Sequence, residues 1–390
     1  MKSSVLTVYG AVTHLPPQPD RFSLKRVIKG GRDRLKCKLG NFQSLDYRNY
    51  LSPSAYNRGD LAIAQAVTQK IQAFAGNIEL SFVNWGDLSK KNEDGPILIS
   101  GSGYIHLTQN YAVADRLRND LEYLTASRRP YALHGIGVNM SATHSDGSLP
   151  TINAESRSII KELIEGAVNV SVRDKNSEKI VQSISDRSIT VVADPALFLK
   201  HDGEIQQSKY SSNRSQVGIT IPFHGPAATD RVCRDLSSYI QCLKSIQDKV
   251  DCDFVQTVHF DSEFIIGKVL QDHSIRLTQA IGEVQTLLSA YQQMDVHIGG
   301  MLHSCILSAS TGTPCIGLAY DIKHQGFFDL LGQPDLCVPA EPFDPERLIA
   351  TCDHVLTHAD TIRKQINARR DELELTSNQF LAQTLQTLLS

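Results

Sequence analysis

Apolar residues along this chain fall into two alternating rhythms. Short runs rich in Val, Ile, Leu and aromatic residues are separated by longer stretches whose apolar positions recur every three or four residues. The runs SSVLTVYGAV, IELSFV, PILISGSG, RPYALHGIGV, VNVSVRD and ITVVAD read as strands. Between them, LAIAQAVTQKIQAFA, TQNYAVADRLRNDLEYLTA and NAESRSIIKELIEGA read as amphipathic helices. Strands alternating with helices predict βαβ units and a parallel sheet. A polar stretch at 200–215, KHDGEIQQSKYSSNRS, breaks the series and reads as a linker. A second series follows, with QVGITIPF, CDFVQTVHF, IRLTQAI, DVHIGG and PCIGLAY as strands and helical segments near 229–249, 261–271 and 283–293. The stretch 345–389 reads as helix, with Ile362, Ile366, Leu373, Phe380, Leu381, Leu385 and Leu388 at near-helical spacing. Two α/β halves joined by a linker predict a cleft between them, where ligands usually sit.

Composition narrows the class. The chain has 390 residues, 41% hydrophobic and 21% charged, which suits a folded globular protein of two domains or one large α/β unit and excludes disorder as its main state. With 39 Lys+Arg against 42 Asp+Glu and a net charge of -3, no bulk nucleic-acid partner is expected. Eight cysteines lie without a CxxC pair or zinc spacing, so reduced, buried thiols and a cytoplasmic location are expected. No carboxylate-rich cluster stands out, and no metal is expected. The N-terminal MKSSVLTVYGAVTHLPP reads as a first strand rather than a signal peptide. Residues Val296 to Tyr320 carry no Asp, Glu, Lys or Arg, yet their Gly, Ser, Thr and His content and Pro314 make them too polar and broken for a membrane span. They read as a buried functional core, and at most peripheral membrane association is expected.

Four local patterns carry candidate chemistry. Asn57-Arg58-Gly59-Asp60 precedes a helical pattern. Asp60 reads either as that helix's cap or as part of an N-terminus whose free N–H groups face an anion or sugar hydroxyl. Ser100-Gly101-Ser102-Gly103 follows a strand, where small residues either admit a ligand to the backbone or make a tight turn. In Ser171-Val172-Arg173-Asp174-Lys175-Asn176-Ser177 a strand gives way to a helix. Arg173 there can clamp a carboxylate or phosphate, or can form a structural ion pair with Asp174 or Asp194. Last, Gly299 and Gly300 close a strand, Leu302 to Ser310 read as a short apolar helix, and Gly312-Thr313-Pro314 turns into the next strand, after which Lys323 and His324 follow. This puts His303 at a helix start on the cleft side, where an imidazole can shuttle protons near neutral pH, although a lone histidine is more often structural.

Taken in order, N-x-G-D, the Gly-rich strand end, S-V-R-D-x-x-S, V-x-A-D-P-A, the Leu302-His303-Ser304 and Gly312-Thr313-Pro314 segments, and Y-x-x-K resemble the polysaccharide pyruvyl transferase family from about Asn57 to Gly332. The resemblance implies an α/β fold of two Rossmann-like domains, GT-B-like, with a C-terminal helix packing back on the first. The expected division is 1–200, 201–360 and a helix at 361–390. It also implies transfer of the enolpyruvyl unit of phosphoenolpyruvate to a sugar of a cell-surface or exopolysaccharide as a ketal, with phosphoenolpyruvate as co-substrate, no cofactor, and a saccharide acceptor, free or lipid-linked. On that resemblance His303 is the catalytic acid/base. Arg173, Lys323, Gly300, Leu302, Ser304 and Pro314 line the donor, and Asn57, Asp60, Gly101 and Gly103 line the acceptor or cleft.

Two departures stand out. The family usually has arginine before Leu-His, and here it is Met301, which cannot pair with a carboxylate. About 45 residues separate the first strand from Asn57, and within them 21–38 carries Arg21, Lys25, Arg26, Lys29, Arg32, Arg34, Lys36 and Lys38 against Asp33 alone. That stretch reads as a dock for an anionic acceptor or as a solvated loop. The alternatives to pyruvyl transfer are a GT-B glycosyltransferase using a nucleotide sugar and a non-catalytic glycan-binding relative.

Overall fold

The computed structural model describes residues 5–12, isolated positions between 28 and 35, and 57–390 without 77, 92, 109, 141–150, 203–213, 223–225 and 261–262. Most of the 200–215 linker, and the basic stretch 21–38 apart from those isolated positions, lie outside the described residues.

In chain order the first half holds β1 (Leu6–Gly10), α1 (Arg58–Ala75), β2 (Leu80–Asn84), β3 (Ile97–Ser100), β4 (Ile105–Leu107), α2 (Asp115–Ser127), β5 (Tyr131–Ile136), β6 (Val138–Met140), α3 (Ala154–Gly166), β7 (Val170–Val172), α4 (Lys175–Gln182) and β8 (Thr190–Val191). The second holds β9 (Ser215–Thr220), α5 (Pro226–Val250), β10 (Cys252–Thr257), α6 (Phe264–Asp272), β11 (Leu277–Ala280), α7 (Val284–Gln292), β12 (Val296–Gly299), α8 (Leu302–Ser310), β13 (Cys315–Ala319), α9 (Ile322–Leu330) and β14 (Cys337–Pro339). α10 (Pro345–Thr357) and α11 (Ala359–Leu389) close the series.

The strands form two six-stranded sheets, ordered β2-β1-β3-β5-β7-β8 and β11-β10-β9-β12-β13-β14, and the pairings within them are parallel. Register is set by matched apolar positions, as where Val8 pairs with Leu98 and Ile298 with Ile219. Helices cover both faces of such a sheet, which is why ILIS of β3 and YALHGI of β5 are buried throughout and read as continuous apolar runs rather than alternating ones. Strand order reverses between β1 and β3 in one sheet and between β9 and β12 in the other. Beyond the carboxyl ends at such a reversal, neighbouring connections leave in opposite directions and open a crevice.

One apolar cluster runs from Leu6, Val8 and the inner face of α1 through Ala196–Leu199 into the second sheet and on to Leu381 and Leu385. The two halves therefore share part of their core. At about 25 cal/mol per Å² of apolar surface removed from water, this seam opposes separation of the halves. α11 bridges it physically. Its Arg369 and Arg370 donate to the Leu330 and Ser310 carbonyls of the second half, both at 2.9 Å, while further along Phe380 stacks on His134 of β5 at 5.8 Å and Thr384 Oγ1 accepts from Asn169 at 3.3 Å.

The strand and helix pattern matches the sequence reading in kind, with local differences. The 345–389 stretch is two helices, broken at His358, where ψ of 19° leaves the helical range. α2 starts at Asp115 rather than near 108, because Thr108 bonds to Tyr111 and Ala112, and Val113 bridges Leu107 of β4. The β4–β6 pair and β14 are additional strands, each only three residues long and too short to show a period.

Candidate functional site

The first turn of α1 is set by Asn57, whose side chain accepts from the Gly59 N–H at 2.9 Å; Asn57, not Asp60, is the cap. That leaves Asp60 on the first turn to accept from Ser102 Oγ at 2.9 Å, tying the helix start to the end of β3. Gly101 makes the tie possible: at φ +60° it turns left-handed, and a Cβ there would fall 2.4 Å from Ile63 of α1.

Arg58 and Asn57 then reach into the second half. Arg58, 2% exposed, donates through its backbone N–H and Nη1 to the His259 carbonyl at 3.3 and 3.0 Å, and through Nε to the Gly282 carbonyl. His303, the second residue of α8, packs its imidazole over Gly59, with Nδ1 3.5 Å from Asn57 Nδ2 and 3.9 Å from Asp60 Oδ1. On the other edge of the ring, Nε2 stands 3.8 Å from Asp194 Oδ2 and has no hydrogen-bond partner among the described residues. The imidazole is thus held between two carboxylates of the opposite half.

Asp194 follows β8 behind Ala193, a non-glycine residue at φ +64° whose carbonyl packs against Gly135. A left-handed alanine stores strain, and such strain persists only where surrounding structure fixes it. Asp194 accepts from the Ala196 N–H at 3.1 Å and from Arg173 Nη1 at 3.3 Å. Burial works to raise its carboxyl, but His303, Arg173 and the Ala196 N–H outweigh it and hold Asp194 below the usual carboxylate value.

Arg173, 4% exposed, therefore takes the ion-pair option with both neighbours: Asp194 on one side and Asp174 Oδ2 at 3.5 Å on the other. Its Nη2 donates to Asn139 at 3.0 Å. Gly137 and Gly103 clear the space, since a Cβ on either would fall 2.4 Å from Arg173 Nε or 1.9 Å from Asn139 Nδ2. Asp174 caps α4 by accepting from Ser177, and burial, opposed by Arg173, keeps its carboxyl above the ordinary value. Lys323 follows β13, with Nζ 3.5 Å from Asp321 and 5.0 Å from the Tyr320 ring centre. Burial works against its charge, yet Tyr320 and Asp321 outweigh that effect and raise its pKa.

The structure thus brings together Asn57, Asp60, Gly101, Gly103, Arg173, Gly300, Leu302, His303 and Lys323 at the carboxyl ends of the two sheets. Gly300 belongs there because a Cβ would meet Pro222 at 2.5 Å, closing β12 against β9 at the strand-order reversal. Ser304 is wholly buried and turns back to donate to the Met301 carbonyl at 2.7 Å. Pro314 is not brought in: it lies before β13, at the far end of α8, about 13 Å of helix rise away. Met301 is 8% exposed in the N-cap position and offers α8 no side-chain cap. Among the described residues no group of His, Cys, Asp and Glu could hold a metal ion. Asp194, Arg58 and Asn139 complete the site without having been singled out for it; the V-x-A-D-P-A motif was the available signal for Asp194.

This is a GT-B-like α/β fold with a polar site assembled across its cleft. The chain belongs to the polysaccharide pyruvyl transferase family, whose description matches residues 57–322. It is also similar to the amylovoran biosynthesis protein AmsJ of Erwinia amylovora, 28% identical over 91 residues that make up 23% of this chain and 22% of AmsJ. The match thus spans under a quarter of that relative. Among solved structures, a protein described as a UDP-N-acetylglucosamine 2-epimerase from Listeria monocytogenes superposes with a TM-score of 0.50 at 10% identity, covering 98% of this chain and 95% of that one. The UDP-GlcNAc 2-epimerase of Neisseria meningitidis bound to UDP-GlcNAc gives 0.48 at 12% identity, covering 98% and 100%.

Proposed function

We propose that this transferase moves the enolpyruvyl unit of phosphoenolpyruvate onto two hydroxyls of a polysaccharide sugar, giving a cyclic ketal and phosphate. The observation that carries the reading is His303, held across the cleft between Asp60 and Asp194, with Nε2 unbonded among the described residues. Protonation of the donor's methylene carbon by the imidazolium makes a methyl group and leaves an oxocarbenium-like carbon. A sugar hydroxyl adds to that carbon and gives up its proton to the freed imidazole. The second hydroxyl then forms the other C–O bond as the C–O bond to phosphate breaks, and its proton leaves with the phosphate. General acid–base assistance of this kind contributes ~10²–10⁴-fold. Lys323 with Arg173 supplies positive charge for the donor's phosphate and carboxylate.

Such a donor is a cytosolic metabolite, so the reading includes a cytoplasmic site of action. The described cysteines, all buried thiols, support a reducing compartment. Among the described residues no helix is long and apolar enough to cross a membrane. Met301 favours a second reading, transfer from a nucleotide sugar, because a thioether cannot pair with the donor carboxylate. Phosphate release from phosphoenolpyruvate in the presence of saccharide acceptors tests the first. Thermal stabilisation by nucleotide sugars but not by phosphoenolpyruvate would replace it with the second.

A further inference from the structure

α9 begins where α4 begins. Asn176 Nδ2 of α4 donates to the Ile322 carbonyl at 3.1 Å, and a Cβ on Gly326 would stand 3.1 Å from the Cβ and Oδ1 of Asp174. The first turns of two helices from opposite halves thus abut, each capped by its own aspartate, Asp174 or Asp321. His324 sits in that seam, wholly buried, its ring edge-on to Tyr320 at 4.7 Å. Neither of its ring nitrogens has a hydrogen-bond partner among the described residues. A buried imidazole with two unmet polar atoms calls for a partner that the described residues do not supply.

We infer that His324 is a further donor-site residue: it presents a ring N–H to an anionic phosphate group held between Arg173 and Lys323, and takes up a proton when that anion binds. The inference deepens the donor reading above and rests on it only in taking the anion as a phosphate. The groups facing the ring are Lys323 and Asp321 on its own helix start, Tyr320 before it, Arg173 and Asp174 from the first half, and His303 from α8. Burial, then the cations Lys323 and Arg173, hold the imidazole well below its ordinary pKa, so the unliganded ring is neutral. An arriving dianion offsets both cations and accepts the ring's hydrogen bond, and both changes favour the protonated ring.

The test is calorimetric titration of the full chain with sulfate, which stays divalent and does not itself titrate near neutrality. Two buffers of different ionisation enthalpy report the protons taken up. Wild type is expected to bind sulfate with proton uptake, and its affinity to rise by at most about tenfold per unit fall in pH. His324→Gln, which keeps hydrogen-bonding capacity but cannot titrate, is expected to bind sulfate with neither uptake nor that pH dependence. Uptake that persists in His324→Gln would assign the proton to His303 or Asp174 and overturn the inference. Wild type binding sulfate without uptake, or not binding it, would overturn it whether or not the variant folds. Phosphoenolpyruvate added in a parallel titration separates the two readings. Sulfate-linked uptake at His324 without phosphoenolpyruvate binding removes the donor reading alone, and phosphoenolpyruvate binding without uptake removes this inference alone.

Discussion

Gly59 and His303 touch with no space for another atom between them: a Cβ on Gly59 would stand 2.3 Å from His303 Cβ and 2.4 Å from Nδ1. The glycine is helical, so its missing side chain serves the imidazole and not the backbone. Gly59→Ala gains about 1 kcal/mol of helix propensity, but its methyl would overlap His303 Cβ, which moves only with the backbone of α8, so it should lower the melting temperature and push the ring off its two carboxylates. A misplacement near 1 Å typically lowers turnover by ~10²-fold. Steady-state kinetics beside a thermal melt checks this; unchanged turnover would mean that the ring position is not set by this contact.

His303 itself should be the most activity-sensitive side chain. His303→Gln keeps hydrogen-bonding atoms but cannot shuttle a proton, and is expected to lose ~10²–10⁴-fold in turnover. A folded His303→Gln protein with near-normal phosphate release would remove the acid/base role.

Asp194 lies between Arg173 and His303, and its loss should register in stability as well as rate. Removing one member of a buried ion pair typically destabilises by about 3–5 kcal/mol. Because the folded-state pKa of Asp194 is depressed, its contribution is present above the unfolded aspartate value near ~3.9 and fades as pH falls through the lower folded value. Denaturant unfolding should therefore separate wild type from Asp194→Asn widely at neutral pH and bring them together in acid. A gap that stays constant with pH would show that the loss is one of packing.

Met301 is the sharpest discriminator of the donor. If phosphoenolpyruvate lies with its carboxylate at the start of α8, Met301→Arg should tighten its binding, since a hydrogen bond to a charged group contributes ~1.5–3 kcal/mol. If the pocket has been refitted for another ligand, the new guanidinium is buried unpaired and the protein loses stability. Calorimetric titration of both proteins with phosphoenolpyruvate decides between them. No binding by either, with both folded, would turn the assignment toward a nucleotide sugar.

How much of this was legible depended on how local the signal was. α8 was readable to the residue, because a charge-free apolar run bounded by Gly299-Gly300 and Gly312-Thr313-Pro314 admits little else. Arg173 was readable as a cation at the mouth of the sheet, but its neutralisation by Asp174 and Asp194 was one option among several until the fold set the distances. Arg58 was given no role of its own within Asn57-Arg58-Gly59-Asp60. Only its approach to the His259 and Gly282 carbonyls, more than 200 positions away in sequence, reveals it as a cross-cleft strut. His324 was passed over beside Lys323, since nothing in the sequence shows that a histidine will be buried without partners.

The bridging helix α11 has a consequence for how the chain is made. Its contacts on the first half, Phe380 over His134 and Thr384 with Asn169, are contributed only after the whole second half has been translated. At about 5–20 residues per second, the ribosome leaves this apolar seam bare for on the order of ten seconds or more after the first half has emerged. The nascent first half therefore exposes this seam at a predictable stage of synthesis, before the residues that cover it have been made.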